Sequence, residues 1–322
     1  MAHALPGFVE ALGHGIYCID SGFQRAGFDA VYLITHAGRA AFVDTATNFA
    51  VPRMLETLDA LSVPRDNVDW VIPTHVHLDH AGGTGTLITA LPNARVLVHP
   101  RGARHLIDPS KLYQGALAVY GPAIMARDYG ELEPVPETRV VTTHDGYVLD
   151  FAGRKLTFLD TPGHARHHHC IWDETSRGIF TGDTFGLSYR ELATHNGPWT
   201  LITSTPVQFE PDALRESITR LLALAPSCMY LTHFGRVEQS RALVAQQLGL
   251  LDRMVELGHA LRTAPERHQA LKRGLRELYE TELRAHGSQL SSEAIHTLLE
   301  QDIELNAQGM GVWLDREAVS AK

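Results

Sequence analysis

One short segment places the strongest constraint on how this chain can fold. Residues 68–83 read VDWVIPTHVHLDHAGG, so a short apolar strand runs directly into three histidines and an aspartate. Side chains two residues apart on an extended backbone point to the same side, so His75 and His77 can bind one metal ion together. Asp79 and His80 follow as the chain turns and can bind a second ion beside the first. Imidazole and carboxylate ligands suit zinc, and they also suit iron or manganese.

The sequence around this segment alternates between strand and helix patterns. The runs GIYCID and AVYLITHAGRAAFVDT predict strands, VPRMLETLDALSV predicts a helix, and ARVLVHP predicts another strand. Later, TRVVTTHDGYVLDFAGRKLTFLDT predicts two or three antiparallel strands, and RGIFTGDTFG, EPDALRESITRLLAL and CMYLTHFG predict a strand, a helix and a last strand. This order is the repeating β-α-β pattern of an α/β fold.

Two changes in this pattern predict the domain organisation. Residues 101–137 are punctuated by prolines and contain one predicted helix, which indicates an inserted lid or pocket wall within a catalytic domain spanning residues 1–238. From residue 239 to residue 322 the pattern is helical, and Ser291 is a predicted N-cap. We therefore predict a C-terminal helical region, which packs on its own domain or forms a homodimer contact. In the first part of this region, apolar residues recur at helical spacing, and they are Val244, Leu248, Leu251 and Val255.

Three further candidate ligands lie where predicted strands stop. They are His164 in DTPGH, Asp183 in FTGDTFG and His233 in LTHFG. Open sheets place function at strand ends, because loops can shape a pocket there while the sheet keeps it rigid. A lone histidine is more often structural than a ligand, but the joint order of these three residues predicts that they complete the metal site.

The motifs THVHLDH, TPGH, GDT and THFG occur in this order, and the chain resembles the metallo-β-lactamase superfamily, in particular its glyoxalase II-like and lactonase-like hydrolases. The resemblance covers roughly residues 10–236. It implies a four-layer αβ/βα sandwich that holds two adjacent metal ions. By the same resemblance, His75, His77 and His164 bind the first ion, Asp79, His80 and His233 bind the second, and Asp183 bridges them.

The chemistry expected of such a site is hydrolysis. Two divalent ions about 3.5–4 Å apart, most simply zinc with iron or manganese as alternatives, lower the pKa of a shared water. The resulting bridging hydroxide attacks the carbonyl of an ester, lactone or thioester. Asp79 would orient the hydroxide and carry a proton to the leaving group. Tyr189, six residues after Asp183, is a candidate donor to the oxyanion, with packing in the pocket wall as the equal alternative.

Three departures from the family pattern bear on this expectation. The helical region has no basic cluster of the kind with which glyoxalase II binds glutathione, so lactones rank slightly ahead of thioesters. The turn VDTATN around Asp44 lacks the glycine that is common in the family, which is expected to affect packing more than metal binding. In the run at 167–169, His168 is expected to be structural or to support a ligand. His167 and His169 are expected to be solvated, since adjacent side chains point apart.

Two other functions remain open at the level of sequence. The same scaffold can hold a single iron and activate oxygen, as in persulfide dioxygenases, although the second set of ligands favours hydrolysis. The chain could also be a non-catalytic, metal-stabilised binding module, for which a complete and open two-metal site would be superfluous.

Charge and hydropathy exclude several classes of partner. The formal charge of −9 repels a phosphate backbone, and no run of basic residues offsets it, which argues against nucleic acid. No apolar segment is long enough to cross a bilayer and the first residues lack a leader pattern, so we expect a cytoplasmic enzyme that acts on a small molecule. Cys18, Cys170 and Cys228 are odd in number and far apart, which predicts reduced thiols.

Overall fold

The computed structural model describes residues 4–204 and 206–320 of the 322-residue chain. These residues form two compact units. The first unit takes in the chain up to Asp160 together with His167–Gly182 and Pro226–Arg236. The second takes in Thr161–Arg166, Asp183–Ala225 and the chain from Val237. The domain boundary expected at residue 238 stays a prediction.

A seven-stranded mixed sheet opens the first unit. Its strands are β1 (Val9–Gly13), β2 (Ile16–Asp20), β3 (Ala30–His36), β4 (Arg39–Val43), β5 (Val68–Ile72), β6 (Arg95–Val98) and β7 (Val140–Thr142), which lie side by side in chain order. Neighbours from β1 to β4 are antiparallel, and neighbours from β4 to β7 are parallel. Parallel neighbours need crossover connections. These are α1 (Val51–Ala60), α2 (Leu78–Ala81), α3 (Thr84–Ala90), α4 (Pro100–Ile107) and α5 (Ser110–Ile124).

A six-stranded sheet follows in the chain. It consists of β8 (Val148–Phe151), β9 (Arg154–Asp160), β10 (His169–Asp173), β11 (Gly178–Gly182), β12 (Cys228–Leu231) and β13 (Gly235–Glu238), in the order β13-β12-β11-β10-β9-β8. Neighbours from β8 to β11 are antiparallel, whereas β11 and β12 are parallel. Both sheets are therefore mixed, and the predicted strands are present.

Strand β3 shows how the core is built on both faces of the first sheet. Val31 and Leu33 belong to a core on the side that packs with α1 and α3, whereas Tyr32 and Ile34 belong to a core shared with the second sheet. Because successive side chains alternate between the faces of a strand, burial on both faces explains why β3 is a continuous apolar run. The second sheet contributes Phe158, Ile171 and Phe180 to the shared core.

The inserted segment contains more helix than the sequence predicts. Helices α4 and α5 are followed by a π-helical turn at Met125–Tyr129. Gly121 has a φ of 78° within α5 and precedes Pro122. A glycine at positive φ followed by a proline without an N–H interrupts the helical hydrogen bonds, so the regular part of α5 ends at Tyr120.

The second unit is mainly helical. Its helices are α6 (Pro211–Ala223), α7 (Arg241–Ala260), α8 (Arg267–Ala285), α9 (Ser292–Leu298) and α10 (Glu300–Ser320). The prediction that Ser291 is an N-cap is confirmed, because its hydroxyl accepts a hydrogen bond from the backbone N–H of Ala294. Crossing a bilayer would take a long apolar helix, and the described part of the chain contains none. The three cysteines are free and buried, as predicted.

Candidate metal centre

The histidine cluster lies at the carboxyl end of β5, as the sequence predicts. The strand ends at Ile72, and His77 is the N-cap residue of the short helix α2. His75 is buried and His77 is half-buried. Nε2 of His75 lies 2.7 Å from Nδ1 of His77. The two imidazoles therefore point to the same place, which is the expected result of a spacing of two residues.

Asp79, His80 and His233 form a second group of possible ligands in the first unit. Their ligand atoms lie within 4.8 Å of one another. Oδ2 of Asp79 is 3.8 Å from Nε2 of His80 and 3.4 Å from Nε2 of His233. A carboxylate that faces two imidazole nitrogens at these distances is a donor set that fits a divalent cation.

Hydrogen bonds fix the direction of both imidazoles in this group. Nδ1 of His80 lies 2.9 Å from Oδ2 of Asp44, and Nδ1 of His233 lies 2.9 Å from the carbonyl oxygen of Phe28. Each Nδ1–H donates to an oxygen, so each Nε2 is left as the nitrogen that can bind a metal.

Asp44 is a site residue whose role the sequence analysis missed. It follows β4 directly and is buried. Its carboxylate accepts hydrogen bonds from the backbone N–H of Thr74 at 2.7 Å and from the hydroxyl of Thr232 at 2.8 Å, in addition to His80. Asp44 therefore orients a candidate ligand, whereas the expected effect of the missing glycine in VDTATN on packing stays a prediction. An acidic residue at the end of the apolar run AAFV was the available signal.

Asp29 is a second carboxyl group that the sequence analysis missed. It is fully buried, and neither of its carboxylate oxygens has a hydrogen-bond partner among the described residues. Burial raises the pKa of Asp29 from 3.8 to about 8. The charges of His233 and His80 lower this pKa, whereas those of Asp79 and Asp44 raise it. Asp29 is therefore protonated at neutral pH unless a cation lies nearby.

His164 and Asp183 lie in the second unit and contact each other. Nε2 of His164 is 3.3 Å from Oδ2 of Asp183, and both side chains are buried. Nδ1 of His164 is 3.2 Å from the carbonyl oxygen of Thr203, which leaves Nε2 to face the carboxylate. Asp183 directly follows the last residue of β11, and His164 lies four residues after the end of β9, so both occupy the predicted strand ends.

Gly163 explains why glycine precedes His164 in the motif TPGH. Its φ is 129°, and a Cβ added to it would lie 2.3 Å from the backbone nitrogen of Leu214. No side chain fits at that distance, and the positive φ is itself unfavourable for residues other than glycine. The backbone before His164 can therefore approach α6 only because residue 163 is glycine.

The three consecutive histidines at 167–169 are buried, which corrects the expectation that two of them are solvated. The exposed fractions are 8% for His167, 0% for His168 and 1% for His169. His167 and His168 stack on the ring of His75, with centroids 6.0 Å and 4.8 Å from it. Nε2 of His169 lies 3.0 Å from the carbonyl oxygen of Pro73, and burial lowers the pKa of His169 to about 3. These residues pack behind the cluster and hold it in place.

Tyr189 is a buried residue of the second unit. Its hydroxyl lies 3.3 Å from Oδ1 of Asp302 in α10. This contact gives the phenol a carboxylate partner within the helical region, which favours packing over donation to an oxyanion. Its role in catalysis stays a prediction.

Comparison with solved structures shows the fold. The crystal structure of ST1585, an archaeal metallo-beta-lactamase superfamily protein from Sulfolobus tokodaii, matches with a TM-score of 0.63 at 22% sequence identity. The match covers 92% of this chain and 98% of that chain. An identity this low supports the fold and not the activity.

Comparison of sequences finds relatives at low identity. ST1585, a metallo-beta-lactamase fold-containing protein from Sulfurisphaera tokodaii, is 30% identical over 176 residues, which are 53% of this chain and 62% of the relative. Acyl-coenzyme A thioesterase MBLAC2 from Bos taurus is 28% identical over 189 residues, 54% of this chain and 64% of the relative. Hydroxyacylglutathione hydrolase from Aeromonas hydrophila is 26% identical over 238 residues, 71% of this chain and 73% of the relative. The chain thus spans less than two thirds of the length of the first two relatives.

One family model covers most of the first unit. The model of the metallo-beta-lactamase superfamily matches residues 25–233, a range that is more than half of the chain and that contains every predicted metal ligand. The chain therefore belongs to the metallo-beta-lactamase superfamily and has its αβ/βα sandwich fold.

Proposed function

We propose that the chain is a metal-dependent hydrolase that cleaves acyl thioesters at a centre of two divalent ions. The observation that carries this proposal is the grouping of Asp79 with Nε2 of His80 and Nε2 of His233. The pair formed by His75 and His77 offers donors that are separate from this group. The two groups together offer five donors, which exceeds the four that a single structural ion requires.

The proposed ligand assignment follows the order of the family motifs. His80 and His233 would bind one ion together with Asp79, and Asp183 would bridge to the other. His164 would join the histidine pair at that other ion. Asp183 lies directly after β11 and His164 lies four residues after β9, and these positions at strand ends of the second sheet support this assignment. Imidazole and carboxylate donors favour zinc over harder ions such as magnesium.

The chemistry would divide between the ions and the side chains. Two bound divalent ions would supply Lewis acidity and lower the pKa of a bound water. Oδ2 of Asp79 faces both imidazoles, and we assign its other oxygen, Oδ1, to accept a proton from the attacking water and pass it to the leaving sulfur. The reaction forms a C–O bond, breaks the C–S bond and releases a carboxylic acid and a thiol.

Thioesters are preferred to lactones because of the relatives. The sequence alone favours lactones slightly, because the helical region has no basic cluster of the kind that binds glutathione. The names of two relatives describe hydrolysis of thioesters, acyl-coenzyme A in one and hydroxyacylglutathione in the other. A thioester substrate also requires no change in the roles assigned to Asp79 and the histidines.

Metal content and hydrolysis together test the proposal. Full-length protein purified without added metal is analysed by elemental mass spectrometry and assayed with an acyl-coenzyme A thioester and with a lactone. We expect about two zinc ions per chain and hydrolysis that a chelator abolishes and zinc restores. About one iron per chain, with oxygen consumption and no hydrolysis, would contradict the proposal and favour the dioxygenase.

A matched pair of variants tests the site. His233→Ala should remove about one ion per chain and abolish hydrolysis. His144→Ala is the control, because His144 is an exposed histidine outside both ligand groups, and it should keep both ions and full activity.

A further inference from the structure

The first helix of the inserted segment, α4, packs against the loop that carries His75 and His77. Its residue Gly102 is buried, and a Cβ added to Gly102 would lie 2.8 Å from Cγ1 of Val76. Val76 stands between the two histidines in the chain. Because residue 102 has no side chain, α4 can lie directly on this loop. The outer face of α4 therefore starts beside the proposed metal centre.

The outer face of α4 is basic. Arg101 and Arg104 are exposed, and residues three apart on a helix are neighbours on one face. The buried residues of the helix lie elsewhere on it, and they are Gly102, Ala103 and Leu106. Lys111 is exposed in the first turn of α5. We name Arg101, Arg104 and Lys111 the basic patch.

His105 shows that charges of the patch from two helices act on one place. The imidazole of His105 is half-buried, and Nε–H of Arg104 donates to its Nε2 at 3.2 Å. Burial lowers the pKa of His105, and the positive charges of Arg104 and Lys111 lower it further. Arg104 of α4 and Lys111 of α5 therefore both lie near this ring, and together they produce a local positive potential.

The patch differs in sign from the chain as a whole, whose formal charge is −9. Residues 101–111 contain three cations and one carboxylate, Asp108, so their net charge is +2 with His105 neutral. The carboxylate of Asp108 accepts a hydrogen bond from the backbone N–H of Ser110 at 3.1 Å, which holds it at the start of α5. A small anion is therefore attracted to this segment, although the chain as a whole repels it.

We propose that the basic patch binds the phosphate groups of a coenzyme A thioester, an inference that rests on the hydrolase function proposed above. Coenzyme A carries a pyrophosphate and a 3′-phosphate at the end of its pantetheine arm that is remote from the sulfur. With the thioester at the histidine cluster, the arm would run along α4, which is about 12 Å long at 1.5 Å per residue. An extended pantetheine arm is longer than this helix, so its phosphates can reach the patch. Guanidinium groups bind phosphate through two parallel hydrogen bonds, and an ammonium group adds a point charge.

Other anionic ligands fit the patch less well. A glutathione thioester carries two carboxylates and one ammonium group, so the three cations of the patch exceed its net charge. A nucleic-acid backbone would extend far beyond three side chains and would meet the repulsion of a chain with a charge of −9. Coenzyme A concentrates several negative charges in a region as short as the patch.

Binding of thioether analogues tests the inference without relying on catalysis, because a thioether cannot be hydrolysed. The full chain is titrated calorimetrically with S-propyl-coenzyme A, with its 3′-dephospho form and with S-propyl-pantetheine. We expect the affinity to fall about three- to fivefold without the 3′-phosphate and about tenfold or more without any phosphate. Equal affinities for the three analogues would overturn the inference.

Two double variants, each of which removes two exposed cations, provide the test and its control. Arg104→Gln/Lys111→Gln should weaken binding of S-propyl-coenzyme A about tenfold and leave binding of S-propyl-pantetheine unchanged. Arg65→Gln/Lys155→Gln should leave both affinities unchanged, because Arg65 precedes β5 and Lys155 lies near the start of β9, away from the strand ends with the candidate ligands. Equal losses in the two variants would reflect net charge alone and would contradict the patch. Unfolding curves verify that each variant is folded.

ATP distinguishes coenzyme A from free nucleotides as the source of the phosphates. It carries adenine and phosphates but no pantetheine arm, so it should bind more weakly than S-propyl-coenzyme A and be displaced by it. Tighter binding of ATP that the thioether does not displace would overturn the inference.

Assays of the metal-loaded enzyme separate this inference from the proposed hydrolase function. With acetyl-coenzyme A as substrate, Arg104→Gln/Lys111→Gln should raise KM about tenfold and leave kcat unchanged, since the phosphates are bound equally in the ground state and the transition state. Metal-dependent hydrolysis of acetyl-coenzyme A and acetyl-pantetheine with the same KM would overturn the phosphate site alone, since the hydrolase function would stand. Phosphate-dependent binding of the analogues with no hydrolysis of either thioester would support the site and overturn the hydrolase function instead.

Discussion

Oδ2 of Asp44 lies 2.9 Å from Nδ1 of His80, and both side chains are buried. The same carboxylate accepts hydrogen bonds from the hydroxyls of Thr74 and Thr232. Thr74 precedes the histidine cluster and Thr232 precedes His233, so one carboxylate connects both strand ends that carry candidate ligands of the Asp79 group. An imidazole binds a metal well only when its far nitrogen is held, and Asp44 holds that nitrogen of His80.

Replacing Asp44 should weaken metal binding without removing a ligand. In Asp44→Asn the amide keeps the shape of the carboxylate but loses its charge and one acceptor, so Nε2 of His80 is oriented less firmly. We expect the affinity for the more weakly held zinc ion to fall about 10–100-fold, measured by competition with a chromophoric chelator. Asp69→Asn is the control, because Asp69 pairs with Arg39 at the half-exposed end of β5 and should not change zinc affinity. Equal affinities for wild type and Asp44→Asn would show that His80 is held by other contacts.

The buried carboxyl of Asp29 should make the stability of the metal-free protein depend on pH. Its pKa is about 8 in the folded chain and near the ordinary 3.8 in the unfolded chain. Between these values the unfolded state has lost a proton that the folded state keeps, so the free energy of unfolding falls as pH rises. This single group can contribute up to about 1.4 kcal/mol per pH unit, and it contributes no further change below about pH 4 or above about pH 8.

Asp29→Asn isolates this contribution. The amide cannot ionise, so the free energy of unfolding of the variant should not fall in this way as pH rises. The variant should therefore be more stable than the wild type at pH 8. Urea unfolding from pH 5 to pH 8 in the presence of a chelator measures the difference. If the free energy of unfolding changes with pH equally in both proteins, Asp29 is ionised in the folded chain and its burial is compensated by a cation.

The sequence predicts the position of the histidine cluster well because its signals are local. His75 and His77 are two residues apart and follow an apolar strand, which predicts that their side chains point the same way. The structure confirms the strand and the contact between the two imidazoles. The roles of Asp44 and His169 could not be predicted in the same way. Their partners lie far along the chain, such as Thr232 for Asp44 and Pro73 for His169, and only the folded sheets bring them together.

Helix α7 shows a second limit of the sequence pattern. In the predicted apolar stripe of Val244, Leu248, Leu251 and Val255, only Leu251 is buried and the other three residues are half-buried. The buried face also includes Leu243, Leu250 and Met254. Gln247 is also buried, and its amide donates to the carbonyl oxygen of Phe185 at 2.6 Å. A glutamine can be buried when its amide donates to a backbone carbonyl, although its hydropathy predicts exposure to solvent. The buried face of α7 therefore does not form a purely apolar repeat in the sequence.

Adding a side chain at Gly163 should disturb His164 as well as the fold. In Gly163→Ala the new Cβ would lie 2.3 Å from the backbone nitrogen of Leu214, so the backbone must move. We expect a loss of about 3 kcal/mol or more in the free energy of unfolding and a loss of bound metal. Gly153→Ala is the control, since Gly153 also has a positive φ, 94°, but nothing lies within 4 Å of its added Cβ. That variant should lose about 1–2 kcal/mol and keep its metal, and equal effects in the two variants would contradict the crowding argument.

The ion pair of Arg154 and Asp173 should be the most costly one to break in the first unit. Both side chains are fully buried, with Nε of Arg154 2.9 Å from Oδ1 of Asp173. Burial acts to raise the pKa of Asp173, but hydrogen bonds from Arg154 and Ser176 hold that pKa below 3.8. This stabilisation is therefore present above about pH 4 and is lost as pH falls through the lower pKa of the folded state.

Removing only the guanidinium leaves a carboxylate buried without its charge partner. Arg154→Met should therefore reduce the free energy of unfolding by about 3–5 kcal/mol at pH 7. The double variant Arg154→Met/Asp173→Leu leaves no unpaired charge, so it should recover most of this loss and unfold less steeply in acid. The half-exposed pair of Arg39 and Asp69 is the comparison, and Arg39→Met should cost no more than about 1 kcal/mol because water screens that pair. Urea denaturation of the wild type, the two single variants and the double variant tests this prediction. A similar loss in the free energy of unfolding for Arg154→Met and Arg39→Met would mean that burial does not make Asp173 depend more strongly on Arg154.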